Sequence, residues 1–365
     1  MGNYAQKLAN MRSRRRGQES LAALGSMSFA ADGTERFTEA YETRAKTDAI
    51  KYALGAMQEL EAKYTRISIE EGNRVRDQLK SSLNSAGIQV AFEYQGSVPL
   101  NVHIRYASDI DLLVLHDGFV TLDRTGARAT TYGTYFGNVL GEMLKLRSRC
   151  ESILEQKFPA ATVDKTGAKS IALSGGSLQR KVDVVPSHWH DTAAYQQSRA
   201  QHDREVKILN KDELAMITNR PFLHMHRIEE KDLRTTGGAK KAIRLLKTIR
   251  KDSSTEIQLT SYDIASLIWH LRDDALSKPY YLELSLVAEI QKYLQYLVEN
   301  PGITNTLDVP DQSRKIIDVP AKLRSLSQLK AEVDTLAADL ANEISPSYAN
   351  NREIVHKRLM EAQIF

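Results

Sequence analysis

The chain has 365 residues, 42% of them hydrophobic and 26% charged, a globular composition with room for two domains and a sizeable core. Fifty basic residues against 46 acidic ones leave a net charge of +4, too mild to mark a large nucleic-acid footprint. The single cysteine, Cys150, excludes a disulfide framework and a cysteine-rich zinc site, which fits a reducing cytoplasm, and no apolar run has membrane-spanning length or the look of a signal peptide.

Residues 1–35 carry the basic run MRSRRRGQES and the small, polar GSMSFAADGTE, and they predict a flexible basic tail. Gln6 stands where an N-myristoylation signal has Ser or Thr. Residues 36–86 predict helix: Phe37, Tyr41, Ala45, Ile50, Ala53, Leu54, Met57 and Leu60 lie near helical spacing, then Ile69, Val75, Leu79 and Leu83, with Gly87 as a stop. IQVAFEY and SDIDLLVL predict strands. A helix is expected from about Tyr135 to Phe158, ended by Pro159. Residues 161–189 predict strand, strand, a turn at Gly175-Gly176, and strand. From about Asp212 the pattern is mostly helical, and the helix at 321–344 is expected to pack on the core. The outline is a mixed α/β half over 36–215 and a helical half over 216–365.

Two carboxylates interrupt an apolar strand. Asp109 and Asp111 are two apart, so on a strand they project to one face while Ile110 and Leu112 take the other. Paired carboxylates repel, and a hard divalent cation offsets that repulsion. LQRKVDVVP supplies a third, Asp183, in another strand-like run. The plainer reading is that these aspartates cap turns or pair with Arg105 and Lys181. The Gly96-Ser97 pair after the preceding strand favours the site: glycine lets a phosphate approach the backbone, and the amides and the Ser97 hydroxyl can hold it. SVPLN after it predicts a short helix with Pro99 in its first turn.

Gly-Ser, a short gap, Asp-x-Asp on a strand and a distant third Asp on a strand resemble the DNA polymerase β-like nucleotidyltransferase superfamily. GSVPLNVHIRYASDIDLLV with KVDVVP is similar to the CD-NTase branch, which contains cyclic GMP-AMP synthase, DncV-like enzymes and oligoadenylate synthase. GGAKKAIRLLKTIRK and LTSYDIASLIWHL resemble two helical segments of that branch, so the likeness spans about residues 90–275 in order. The resemblance implies an α+β fold: a polymerase β-like nucleotidyltransferase core, a mixed sheet with helices, then a helical C-terminal domain, with the active site in the cleft between them. It implies that Asp109, Asp111 and Asp183 bind two Mg²⁺ (or Mn²⁺) and that Asp183 also helps activate the attacking hydroxyl. Gly96 and Ser97 would hold the β- and γ-phosphates. Lys247 would reach the triphosphate with Lys241 as helper, Ser261 would touch phosphate, and Tyr262 would stack on a base. Val102 stands where many relatives have Thr. The zinc ligands of the vertebrate cyclic GMP-AMP synthase insert are missing, which argues against DNA sensing by that device.

The activity so implied joins nucleoside triphosphates, ATP among them, into a cyclic di- or oligonucleotide second messenger, read by a separate effector in bacterial anti-phage (CBASS) signalling. No membrane partner is expected, nucleic acid is not a required partner, and the activating signal stays open. Two rivals stay open: an RNA-end or linear oligoadenylate nucleotidyltransferase, and a catalytically silent nucleotide-binding module. Lys241, Arg244 and Lys247 have the rival reading of a solvated helix face, and Tyr262 that of a core aromatic. HWH (His188, His190) and HMH (His224, His226) lack acidic or cysteine neighbours at ligand spacing, and no structural metal is expected there.

Overall fold

The structure is a computed structural model describing residues 3–16, 39–105, 108–346 and 351–365. It divides into two units: Met1–Leu60, Val102–Ala107 and Ile228–Phe365 form one, and Glu61–Asn101 with Ser108–Arg227 form the other. This differs from boundaries at 35 and 215, because residues up to Leu60 group with the C-terminal helices. The expected N-terminal tail is helical where it is described: α1 spans Tyr4–Arg16 and buries Tyr4, Leu8 and Met11, three side chains at helical spacing. The rest of that tail lies outside the described residues.

The sheet unit contains β1 (Val90–Gln95), β2 (Ile110–Leu122), β3 (Thr162–Asp164), β4 (Ile171–Ser174), β5 (Val182–Asp191), β6 (Glu205–Asn210) and β7 (Ala215–Asn219). The order is β1-β2-β5-β4-β3, with β6 on the far half of β5 and β7 beside β6. Among the described residues only β2 and β5 pair in parallel; the other pairs are antiparallel. Gly175 and Gly176 turn the chain after β4 with φ of 75° and 59°.

One sheet face is dry. Ile110, Leu112, Val114, Val182 and Val184 point into a core completed by Val75, Leu79 and Leu83 of α3 (Ala62–Ser85) and Met143, Leu146 and Leu154 of α4 (Val139–Lys157). Asn138 caps α4 by accepting from the Gly141 amide, and the helix stops at Phe158 before Pro159. The hairpin β6–β7 corrects the expectation of helix from Asp212. AMITN is a short edge strand whose side chains are half-buried, so its alternation is faint, and helix α5 begins only at Pro221 (Pro221–Arg234).

The helical unit holds α1, α2 (Asp48–Met57), α6 (Gly238–Asp252), α7 (Ser261–His270), α8 (Ser285–Glu299), α9 (Pro320–Ile344) and α10 (Arg352–Glu361). In α9, Leu326, Leu329, Val333, Leu336 and Leu340 are fully buried, so that helix packs into the core of the unit as expected. A capping box starts α7: Thr260 accepts from the Asp263 amide and Asp263 from the Thr260 amide. Buried cations finish helix ends. Arg15 donates to the Gly55 and Gln58 carbonyls and Arg244 to that of Met57, all at the C-terminus of α2, where the helix dipole is negative. Arg14, near the end of α1, makes a two-bond pair with Asp252, at 2.5 and 2.7 Å, and Tyr52 donates to the same carboxylate. Among the described residues no helix is long and apolar enough to cross a membrane.

Arg14 and Asp252 have side chains only 5% and 3% exposed, so removing one strands the other's charge. Asp252→Ala is expected to destabilise the helical unit by about 3–5 kcal/mol. Urea unfolding followed by circular dichroism reads this, and an unmoved midpoint would refute the assignment.

Candidate active site

The carboxylates meet through strand register. Asp111 of β2 lies directly opposite Asp183 of β5, and Gln95, the last residue of β1, lies opposite Asp111 on its other side. Paired positions share a face, so Gln95, Asp111 and Asp183 form a row opposite the dry core. Further along that face the side chains turn apolar again, with Leu113, Leu115, Val185 and Trp189 in a second small core.

Immediately after Gln95 the chain turns at Gly96, where φ is +83°. A Cβ there would lie 2.5 Å from Asp111 Oδ2. Glycine is therefore required twice, for the left-handed backbone and for the close carboxylate. Ser97 follows in the turn. The helix expected over SVPLN does not form. Asn101 N bonds to Val98 O at 3.0 Å, Asn101 takes a positive φ, and buried Val98 and Leu100 anchor a run of turns.

Asp109 precedes β2, and Lys181 precedes β5. The Lys181 ammonium lies 2.9 Å from Asp109 Oδ2 and 3.1 Å from Asp183 Oδ2. The other Asp183 oxygen, Oδ1, is buried with no hydrogen-bond partner. Burial pushes the Asp183 carboxyl above its ordinary range; Lys181 pulls it down, and Asp109 and Asp164 push it up again. The Lys181 ammonium is raised: burial opposes the charge, but hydrogen bonds to Asp109 and Asp183 outweigh it.

Do these residues suit a divalent cation? The donors are hard carboxylate oxygens, one buried oxygen lacks a partner, and a cationic ammonium already bridges two of the three side chains. They fit. Among the described residues no three acidic, histidine or cysteine side chains yet converge on one ion-sized point. The lysine bridge holds two of these carboxylates instead. Its pairing with both was legible only as the plainer alternative reading of the aspartates.

The remaining candidates lie in the helical unit. Lys247 is buried and donates to the Val102 carbonyl at 2.6 Å. Lys241 pairs with Glu283 at 2.5 Å, and Arg244 is buried. These three do not form a solvated face. Ser261 opens α7 right after its cap. Tyr262 donates to Asp311 Oδ2 at 2.7 Å, with the Arg314 guanidinium over its ring, and burial beside Asp311 raises its phenol.

Neither histidine motif assembles a metal site among the described residues. His188 Nδ1 lies 2.9 Å from the Trp189 carbonyl, His190 Nδ1 lies 2.9 Å from Thr121 Oγ1, and His226 stacks on His202.

The family described as the cGAS/DncV-like nucleotidyltransferase C-terminal helical domain matches residues 226–336. A cyclic dinucleotide synthase CdnE from Yersinia aleksiciae is 37% identical, covering 98% of this chain and 98% of its own length. A c-di-GMP synthase from Lachnospiraceae bacterium (strain RUG226) is 32% identical over 62% of this chain and 70% of its own. The solved structure of a STING-associated CdnE c-di-GMP synthase from Capnocytophaga granulosa superposes with a TM-score of 0.72 at 26% identity, covering 94% of this chain and 100% of that one. The chain belongs to the CD-NTase family. It is a nucleotidyltransferase of the cyclic nucleotide synthase kind, with the expected mixed-sheet core and helical C-terminal domain.

Gly96→Ala forces the turn and the Asp111 carboxylate apart. Nucleotide turnover is expected to fall about 100-fold or more, with the melting temperature shifted only slightly; activity within threefold of the parent would refute the close approach.

Burial lowers the His188 imidazole to about 4, so the folded chain holds it neutral. The unfolded chain protonates it near 6.5, and stability that is complete above that pH drains away as pH falls towards 4, by on the order of 3 kcal/mol. Thermal melts from pH 7 to 4 are expected to show a flatter acid limb in His188→Gln than in the parent.

Proposed function

From membership of the CD-NTase family and the pairing of Asp111 with Asp183, we propose that the chain joins two nucleoside triphosphates into a cyclic dinucleotide. The observation that carries the reading is that register: it puts two carboxylates side by side on a rigid sheet, with a glycine turn alongside. Asp109, Asp111 and Asp183 would hold two Mg²⁺. The ions, when bound, supply the positive charge that acidifies a ribose hydroxyl and neutralises a triphosphate. The Gly96 amide and Ser97 hydroxyl hold phosphate oxygens. The acceptor hydroxyl attacks the α-phosphorus in line, an O–P bond forms, and the bond to pyrophosphate breaks. Asp183, beside Asp111 on the sheet, would take up the hydroxyl proton. A second attack by the remaining hydroxyl closes the ring and releases a second pyrophosphate.

The phosphate roles of Lys241 and Lys247 require a change: Lys247 must leave the Val102 carbonyl, and Lys241 must leave Glu283. Tyr262 stacks on a base only with its hydroxyl held at Asp311. The c-di-GMP synthases among the relatives make GTP the first substrate to supply, with ATP beside it. The STING-associated relative supports a CBASS role in which a separate effector reads the product.

Incubation with all four nucleoside triphosphates and Mg²⁺, then phosphatase and mass spectrometry, tests the reading. A phosphatase-resistant cyclic dinucleotide is expected from the parent and at least about 1,000-fold less from Asp109→Ala with Asp111→Ala. Linear products that appear only with added RNA would instead mark an RNA-end enzyme.

A further inference from the structure

Lys181 is a basic side chain seated between two of the three candidate metal-binding carboxylates, Asp109 and Asp183. Its backbone is fixed, since its carbonyl accepts from the Ile110 amide at 3.1 Å and the next residue enters β5. Its ammonium donates to one oxygen of Asp109 and one of Asp183. Its side chain is 40% exposed, whereas that of Asp183 is 16% exposed. The lysine is therefore the more open of the two to water, and the carboxylate beneath it the more buried.

We propose that Lys181 is a built-in counter-cation: its ammonium holds Asp109 and Asp183 together in the metal-free chain, and a divalent cation binds there only by displacing it. This inference rests on the metal-dependent reading of the site.

The physical need is plain. Asp111 and Asp183 are fixed side by side by register, with Asp109 two residues away, and their charges repel wherever no cation lies between them. One ammonium relieves part of that repulsion and keeps two of the carboxylates aligned. A divalent ion held by Asp109 and Asp183 would compete with the ammonium for the same two carboxylates, and two cations that close together repel. The ammonium and the divalent ion are then competitors for one pair of carboxylates. Breaking two charge-assisted hydrogen bonds weakens the apparent metal affinity, while the carboxylates arrive already gathered. Lys181 thus sets the divalent concentration at which the site fills.

The test is a Mn²⁺ titration of the chelator-stripped full chain, with free Mn²⁺ read by electron paramagnetic resonance. Lys181→Met and Lys181→Gln are expected to bind Mn²⁺ about tenfold more tightly than the parent. Lys181→Arg, which keeps the charge and the donors, stays near the parent value. Lys211→Met removes a positive charge of the same unit whose ammonium bonds the Lys165 carbonyl and which acts electrostatically on Asp164, and it is expected to change affinity less than twofold. Equal or weaker Mn²⁺ binding in folded Lys181→Met would overturn the proposal, as would an equal gain in Lys211→Met. If Lys181→Met does not fold by circular dichroism, Lys181→Gln decides. A parent that binds no Mn²⁺ removable by Asp109→Ala with Asp183→Ala would sink the metal reading itself. Parent binding without the Lys181 effect would sink only the counter-cation.

Discussion

The parallel pairing of β2 with β5 is the constraint on which the rest depends. It places Asp111 against Asp183, an arrangement that like charges oppose. The opposite face holds it in place. Ile110, Leu112, Val114, Val182 and Val184 are almost completely buried under α3 and α4, each contributing roughly 1.5–3 kcal/mol. A slip of one residue in either strand would turn that strand's carboxylate into the core and its aliphatic side chains out of it. Apolar packing on one side thus fixes acid geometry on the other.

Much of this was legible in the chain. The i, i+2 spacing of Asp109 and Asp111 in SDIDLLVL gave both the strand and its two faces, and the Gly-Ser pair marked the turn. The partner register of Asp183 was not legible, because parallel pairing joins residues far apart in sequence with no local signal. Gly96 shows why its residue is needed only once Asp111 is beside it. The short hairpin β6–β7 was missed for want of alternation, and the helix expected at SVPLN lost to turns anchored by Val98 and Leu100.

The basic side chains have a common use that composition conceals. Arg15 and Arg244 close the C-terminus of α2, Lys231 serves the Leu271 carbonyl beyond α7, Arg147 binds the carbonyls of the loop before β4, and Lys247 binds Val102. Buried carbonyls at helix ends and in loops need donors, and long cationic stems supply them from a distance. A helix rich in Lys and Arg therefore reads alike whether its charges meet solvent, phosphate or the chain's own backbone. That ambiguity is why the role of KKAIRLLKTIRK was open in sequence.

The division of the chain has a consequence for its synthesis. The sheet unit is nearly continuous in sequence, but the helical unit is assembled from an opening segment, a short stretch at Val102–Ala107 and everything from Ile228 onward. The apolar sides of α1 and α2, with Leu8, Met11, Tyr52 and Leu54, leave the ribosome long before α6 and α9, the later helices of their unit, exist. The sheet unit can close first, while α1 and α2 wait for the later helices of their unit. Helices α1 and α2 are then among the last of these elements to fold, and the growing chain must keep their hydrophobic surface from other partners until α6 and α9 have been made.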